Sequence, residues 1–342
     1  MSTNRRGICC AGNWIIDHVK IISVWPQQDT LATILGEETG TGGSAYNVLV
    51  DLSRFGVDIP LSGIGLVGSD ADGNSILADC AERGIDTNLL HRIDDAPTAY
   101  TDVMSVKATG RRTFFYQGGA NARLAPGHIL GHQLNCRLLN LGYLLLLDGL
   151  DAPDEEYGTQ AARVLAGLQT EGILTSIDVV SEDSDRFAGI VSPALKYADY
   201  CIINEIEAGR TTGIEIRNGD SLDISAMEAA AAKLLSLGVG RLVVIHTPEL
   251  CIGVTPCGKS CRQPAHELPD GFVQGTAGAG DAFLGGMLVG IHEEWSLEES
   301  LRFANAAAAT CLRHPTTTGG VGTLEEIREL AESIPLQPFP AG

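Results

Sequence analysis

Gly275-Thr-Ala-Gly278-Ala279-Gly280-Asp281-Ala-Phe-Leu-Gly-Gly-Met-Leu-Val-Gly-Ile-His292 is the stretch from which the rest of the chain can be read. Gly278, Ala279 and Gly280 run into Asp281, and Phe283, Leu284, Met287, Leu288 and Ile291 follow at helical spacing. The spacing predicts a helix over Gly280–His292 that opens on a turn of small residues. Such a turn leaves backbone N–H groups unpaired, with the positive end of the helix dipole behind them. Phosphate binds at sites of this kind. A carboxylate there repels an anion, so its presence needs another explanation. One is that Asp281 takes a proton from a hydroxyl that attacks phosphorus, with Gly278, Ala279 and Gly280 as the anion hole. Asp281 as a plain helix cap is the other reading, but a cap needs none of the small residues before it.

Outward from that turn, short apolar runs alternate with amphipathic helices, the pattern of an α/β fold with a mostly parallel central sheet and helices on both faces. Ala45–Phe55 carries apolar residues at helical spacing and Gly56 stops it. Helices are also expected at Asn74–Arg83, Asp154–Thr170, Ser184–Tyr197, Ser225–Leu237, Leu297–Arg313 and Leu324–Ser333. Strands are expected at Ile59–Val67, Leu144–Leu147, Ile173–Val179, Tyr200–Ile203 and Arg241–His246. Two β-rich stretches, Trp14–Ile34 and Thr98–Gln117, break the alternation, the second turning near Gly110. They predict a small β-sheet lid, formed by segments about 14–44 and 97–120, on a single domain spanning 1–342. The last eight residues, with three prolines, are expected to fray.

The formal charge of −20 leaves no basic stripe for nucleic acid and disfavours an anionic membrane surface. Nine irregularly spaced cysteines are no disulfide framework. Cys251, Cys257 and Cys261 lie close in sequence but form no Cys-x-x-Cys pair, so no metal ligand is assigned directly. Arg5 and Arg6 precede only a short apolar run, and no stretch approaches the roughly 20 apolar residues of a membrane span. The expected location is the cytoplasm.

Two motifs mislead. Gly253-Val-Thr-Pro-Cys-Gly258-Lys259-Ser260 fits the P-loop pattern, but Pro264 and Pro269 forbid the helix that gives it meaning; a turn between strands is expected. Gly63-Ile-Gly65-Leu-Val-Gly68 fits a dinucleotide fingerprint. Its helix is expected to start only beyond Gly73, so pyrophosphate would meet a loop.

Five patches in order give the chain a resemblance to the ribokinase-like (PfkB) carbohydrate kinases over nearly its whole length: Gly12 to Asp17; Gly42, Gly43 and Asn47; Gly65, Val67, Gly68, Asp70 and Gly73; Asn204 and Glu207; and Gly278–Asp281. The resemblance implies an ATP-dependent sugar kinase with Asp281 as base and acceptor held by Asp17, Gly42, Gly43 and Asn47. It implies that Asn204 and Glu207 order waters around a Mg²⁺ on the phosphates, that Asn305 lies near the adenine, and that a homodimer forms through the lid. Read from the residues alone, Asp17 is a carboxylate able to hold two hydroxyls or an exposed strand residue. Asn47 is a ligand amide or a buried one, and Asn204 with Glu207 is a phosphate-side pair or a helix cap.

The departures narrow the expectation. Gly275 replaces an aspartate that often helps hold a monovalent cation in the family, which leaves potassium dependence open. Thr247-Pro248-Glu249-Leu250-Cys251 replaces a glycine-rich nucleotide turn, which leaves donor preference open. Ile15 and Ser44 stand where ribokinases carry Asn and Lys. A phosphorylated acceptor needs fixed cations, and only Lys107, Arg111 and Arg112 lie in the lid hairpin. The first choice is therefore an unphosphorylated, fructose-like sugar or another hexose or pentose. A sugar acid of the ketodeoxygluconate type is an alternative, as is a nucleoside stacked on Trp14, Phe114 or Tyr116. A sugar-binding protein that has lost turnover is the reading from another class.

Overall fold

The computed structural model describes residues 5–339. Nine strands form the central sheet in the order Ser260–Pro264, Leu250–Val254, Leu242–His246, Tyr200–Asn204, Leu174–Val179, Leu138–Leu144, Ile8–Gly12, Leu61–Gly68 and Asp86–Ile93. All neighbours run parallel except at Leu250–Val254, which pairs antiparallel on both sides. Alternate side chains feed two cores, as a sheet covered on both faces requires. Cys9, Leu139 and Val243 point into one core, and Cys10, Leu138 and Val244 into the other. The second core takes in Leu49 and Leu52 of the helix Ser44–Phe55 and Phe283, Met287 and Leu288 of the helix Ala279–His292.

A second sheet of four strands has the order Ile34–Gly42, Ile15–Ile22, Ala99–Val106 and Arg112–Gln117. Three of its strands lie in the two β-rich stretches, Ile34–Gly42 lies just beyond the first of them, and the hairpin turns at Gly110, where φ is 66°. Along Arg112–Gln117, Arg112, Phe114 and Tyr116 line the main cleft. Phe115 faces the other way and stacks on Trp25 with ring centroids 6.2 Å apart.

Several elements depart from the sequence reading. The helix after Gly68 starts at Ala71, not beyond Gly73, because Asp70 caps it by accepting from the Gly73 amide at 2.8 Å. The fingerprint glycines serve packing instead. A Cβ on Gly63 or Gly65 would lie 2.5 or 2.2 Å from the Trp14 ring. Trp14 is therefore fully buried beneath this strand, with its indole N–H on the Ile64 carbonyl at 3.0 Å, and has no face for a ligand. The strand expected at Leu144–Leu147 lies earlier, at Leu138–Leu144; Leu145 already has φ of 80°. The helix expected from Asp154 begins at Gln160, capped by Thr159. The helix Glu205–Thr212, outside the helices expected from apolar spacing, starts at the Asn204 cap that was one of the two readings of Asn204 with Glu207.

The P-loop look-alike is the hairpin turn between Leu250–Val254 and Ser260–Pro264, as expected. The tail does not fray throughout. Leu336 pairs with His266, and the Gln337 amide donates to the Ala265 carbonyl at 2.8 Å. Residues 340–342 lie outside the described residues. No helix among the described residues is long and apolar enough to cross a membrane.

Candidate active site

A cleft of about 710 Å³ runs between the carboxyl ends of the central strands and the small sheet. Loop ends at this edge are where open α/β sheets bind ligands. Asp281 lies on its wall, in the first turn of Ala279–His292, and is 5% exposed. No side chain caps that helix, so the amides of Ala279, Gly280 and Asp281 have neither a helical partner nor a capping one. Gly278 precedes them with φ of 81°, the left-handed region, and a Cβ there would lie 1.9 Å from the Thr317 carbonyl oxygen. Only glycine fits at that turn.

The carboxylate of Asp281 is held at both oxygens. Asn47 donates its side-chain amide to Oδ2 at 2.9 Å, and Tyr143 donates its hydroxyl to Oδ1 at 2.6 Å. Burial pushes the Asp281 pKa up to about 6, and the bonds from Tyr143 and Asn47 act against that rise. The group is thus an ionised, proton-accepting carboxylate near neutrality. Asn47 reaches it because helix Ser44–Phe55 starts at Gly43, where φ is 84° and a Cβ would lie 2.7 Å from the Asn13 carbonyl oxygen. The Oδ1 of Asn47 is buried without a partner.

Asp17 reaches the cleft from strand Ile15–Ile22. Gly42 packs directly on it, since a Cβ at 42 would lie 2.5 Å from Asp17 Oδ1. Burial raises the Asp17 pKa to about 7, opposed by a hydrogen bond from Thr101 and raised further by the charge of Asp281; the charge of Arg112 lowers it. Asp17, Gly42, Gly43, Asn47, Gly278, Gly280 and Asp281 therefore share one cleft.

Asn204 and Glu207 share it too. Asn204 Oδ1 accepts from the amides of Ile206 and Glu207, and Glu207 Oε2 accepts from the Asn204 amide at 3.0 Å, so the two form a capping box. Capping and cleft lining coexist in this pair. Burial raises the Glu207 pKa to about 7, against hydrogen bonds from the Asn204 amide and Ser181.

Asn305 is not brought there. It lies on Leu297–Cys311 with its amide spent on the carbonyls of Gln263 and Pro264, at 3.3 and 3.0 Å, and it does not line the cleft. That amide pins the helix to strand Ser260–Pro264.

Sequence reasoning passed over Tyr143, Asp178 and His246 as cleft residues, and of the three lid-hairpin cations it named, Arg112 is the one that lines the cleft. Asp178 accepts from Ser44 Oγ at 2.8 Å, and burial raises its pKa well above the carboxylate range, helped by the charges of Asp281 and Glu207. His246 packs on Phe283 with ring centroids 4.7 Å apart, and burial lowers its pKa to about 4. Polar residues that end apolar strands at the carboxyl edge of the sheet were the available signal for Tyr143, Asp178 and His246.

The family model for pfkB family carbohydrate kinases matches residues 6–323. The chain belongs to that family. It is a phosphotransferase with an alcohol group as acceptor, on the ribokinase fold. Among curated relatives, the ribokinase of Haemophilus influenzae is 24% identical over 331 residues, which is 96% of this chain and 99% of that one. Among solved structures, Arabidopsis thaliana ribokinase complexed with ribose and ATP superposes with a TM-score of 0.76 at 21% identity, covering 96% of this chain and 99% of that one. A Burkholderia thailandensis nucleoside kinase in complex with inosine superposes at 0.75 and 17% identity, covering 96% of each chain.

In the turn Thr247-Pro248-Glu249-Leu250-Cys251, Thr247 Oγ1 accepts from the amides of Glu249 and Leu250 at 3.1 Å. Arg217 grips both carboxylate oxygens of Glu249, at 2.9 and 2.8 Å, and reaches Glu205 at 3.2 Å. A salt-bridged side chain thus braces this turn.

Proposed function

We propose that this kinase transfers the γ-phosphoryl group of ATP to a hydroxyl of a neutral, unphosphorylated sugar, with Asp281 as general base. The observation that carries the reading is the Asp281 carboxylate between Asn47 and Tyr143, one residue from uncapped helix-terminal amides. Asp281 takes the proton from the acceptor hydroxyl. The oxygen forms the new bond to γ-phosphorus while the bond to the β,γ-bridging oxygen breaks and ADP leaves. The amides of Ala279 to Asp281 stabilise the charge on the transferring group, a contribution of several kcal/mol.

The acceptor assignment rests on charge. Asp17, Asp178 and Asp281 line the acceptor side, and among the described residues the one Lys or Arg on the cleft wall is Arg112. Arg112 donates to the Pro315 carbonyl and its charge also acts on Asp17. Little cationic charge is left for a phosphate or carboxylate on the acceptor. Asp17 suits a vicinal diol, and apolar Ile15, Phe114 and Leu146 suit the ring face. A nucleoside remains the second reading because Phe114 and Tyr116 line the cleft; Trp14, buried, contributes nothing to it.

An acidic cleft also explains why ATP enters with a divalent ion. Glu207, buried and short of positive neighbours, with Asn204 beside it, would hold the hydration shell of a Mg²⁺ that accompanies the phosphates. That ion would neutralise charge on the phosphates. The small sheet acts as a lid on a single domain, excluding water from the transfer. Its outer face, with Trp25 48%, Leu31 87% and Phe115 51% exposed, is the surface through which a homodimer would form.

The test is a panel of pentoses, hexoses, sugar acids, sugar phosphates and nucleosides with ATP and Mg²⁺, read by ADP release. A neutral sugar should exceed its phosphate ester in kcat/KM by at least about a hundredfold. Preference for a sugar phosphate or sugar acid overturns the acceptor assignment, and binding of sugars without ADP release overturns the base.

A further inference from the structure

The turn that carries the anion hole is held from behind by the loop His314–Thr318, and the manner of holding leaves no carboxylate for a monovalent cation. Residue 275, where the family pattern expects an aspartate that helps fix such a cation, is glycine. A Cβ there would lie 2.9 Å from Pro315 Cα and 3.0 Å from the His314 carbonyl oxygen, so the backbone fills the space a carboxylate would use. The Leu312 carbonyl, on the same side, already accepts from the Gln274 amide at 2.8 Å.

Two carbonyls of the turn and the loop, those of Ala277 and Thr317, share one proton donor. Cys311 is fully buried and directs Sγ at the Thr317 carbonyl, 3.1 Å away, and at the Ala277 carbonyl, 3.5 Å away. One S–H serves two oxygens, a weak donor in a place where an unpaired carbonyl is costly. The Thr317 carbonyl is the atom against which Gly278 packs. Thr317 Oγ1 donates to the Thr41 carbonyl at 2.6 Å, one residue before the Gly42-Gly43 pair, and Arg112 of the small sheet donates to the Pro315 carbonyl. The anion hole, the acceptor glycines and the small sheet therefore meet on one loop, and Cys311 is its tie to the turn.

We propose that Cys311 is a positioning residue that fixes the Gly275–Gly278 turn, so that this kinase forms its anion hole without a monovalent cation. The inference rests on the kinase reading given above, and its test separates the two. Melting of the full chain is compared in potassium chloride and in tetramethylammonium chloride, each on the order of 0.1 M. A cation bound only by the native state raises Tm by mass action; the expected difference is within about 1 °C. Turnover with the acceptor found by the panel should agree within about twofold between the two salts.

Cys311→Ala should lower kcat by about tenfold at an unchanged acceptor KM, because a misplaced anion hole weakens only the transition state. Cys311→Ser, which keeps a donor, should retain most of kcat. A residue that merely packs would lower Tm in both variants and leave kcat intact at temperatures well below melting. Potassium raising wild-type Tm by several degrees or kcat by about fivefold overturns the inference, as does full turnover in Cys311→Ala. A chain that phosphorylates nothing sinks the kinase reading instead, and the melting comparison then decides the cation question alone.

Discussion

Tyr143 donates its hydroxyl to Oδ1 of Asp281 at 2.6 Å, joining the carboxyl edge of strand Leu138–Leu144 to the first turn of a helix 138 residues later. With Asn47 on the other oxygen, the bond fixes the carboxylate plane and holds down a pKa that burial alone would carry higher. The carboxylate is thus aimed by one neighbour from the sheet and one from the helix Ser44–Phe55.

Asp281→Asn should abolish proton abstraction while leaving the cleft shape and the flanking amides in place. We expect kcat to fall by at least about a hundredfold with acceptor affinity nearly unchanged. Single-turnover kinetics with isothermal titration of the acceptor check both halves. Near-wild-type turnover removes Asp281 from the mechanism.

The pH profile should carry an acid limb. Asp281 acts as base only when ionised, so kcat/KM should rise with pH and level off above about 6. Tyr143→Phe removes a hydrogen bond that favours the ionised form, so the pKa rises and the limb moves to higher pH, by about one unit. Loss of activity should accordingly be greatest at acidic pH and smallest above neutrality. A limb that stays in place would show that the phenol does not tune the base.

Gly42→Ala places a Cβ 2.5 Å from Asp17 Oδ1 and must displace that carboxylate. If Asp17 holds the acceptor, KM for the sugar should rise by about tenfold or more while KM for ATP stays put. Gly56, at the far end of the helix Ser44–Phe55, where a Cβ would meet nothing within 4 Å but φ is 70°, is the control: Gly56→Ala strains the backbone and should lower Tm without a change in either KM.

The contrast between Asp281 and Tyr143 shows what a sequence carries. Asp281, its glycines, Gly42-Gly43 and the helix start at Asn204 were legible because each is a local device: a turn, a close backbone approach, a cap. Tyr143, Asp178 and His246 were not, because each ends an unremarkable apolar strand and acquires its neighbours only when the sheet brings strand ends together. Asp70 fell between the two. Its capping of Ala71–Glu82 is local, but its hold on the amide of Thr98 at 2.7 Å links the start of strand Ala99–Val106 in the small sheet to the main sheet, which no spacing announces. The hold of Asn305 on the carbonyls of Gln263 and Pro264 is likewise a tertiary contact that spacing along its helix does not announce.

Asp51 supplies a prediction about stability. It is fully buried one turn beyond Asn47, neither oxygen has a partner, and burial with the charge of Asp281 raises its pKa well above the ordinary value. A carboxyl with a raised folded-state pKa takes up a proton on folding, so its contribution favours the native state least at high pH. Stability should decline as pH climbs above the unfolded carboxylate value of about 4, by at most about 1.4 kcal/mol per pH unit for one such group. Asp51→Asn removes that proton uptake while keeping the shape. The variant should match or fall slightly below wild type near pH 4 and gain on it steadily toward pH 8. Urea unfolding across that range reads the difference directly. Parallel curves for the two proteins would mean that Asp51 is ionised in the native state and paired with a group such as Arg54, whose Nε is itself buried without a partner.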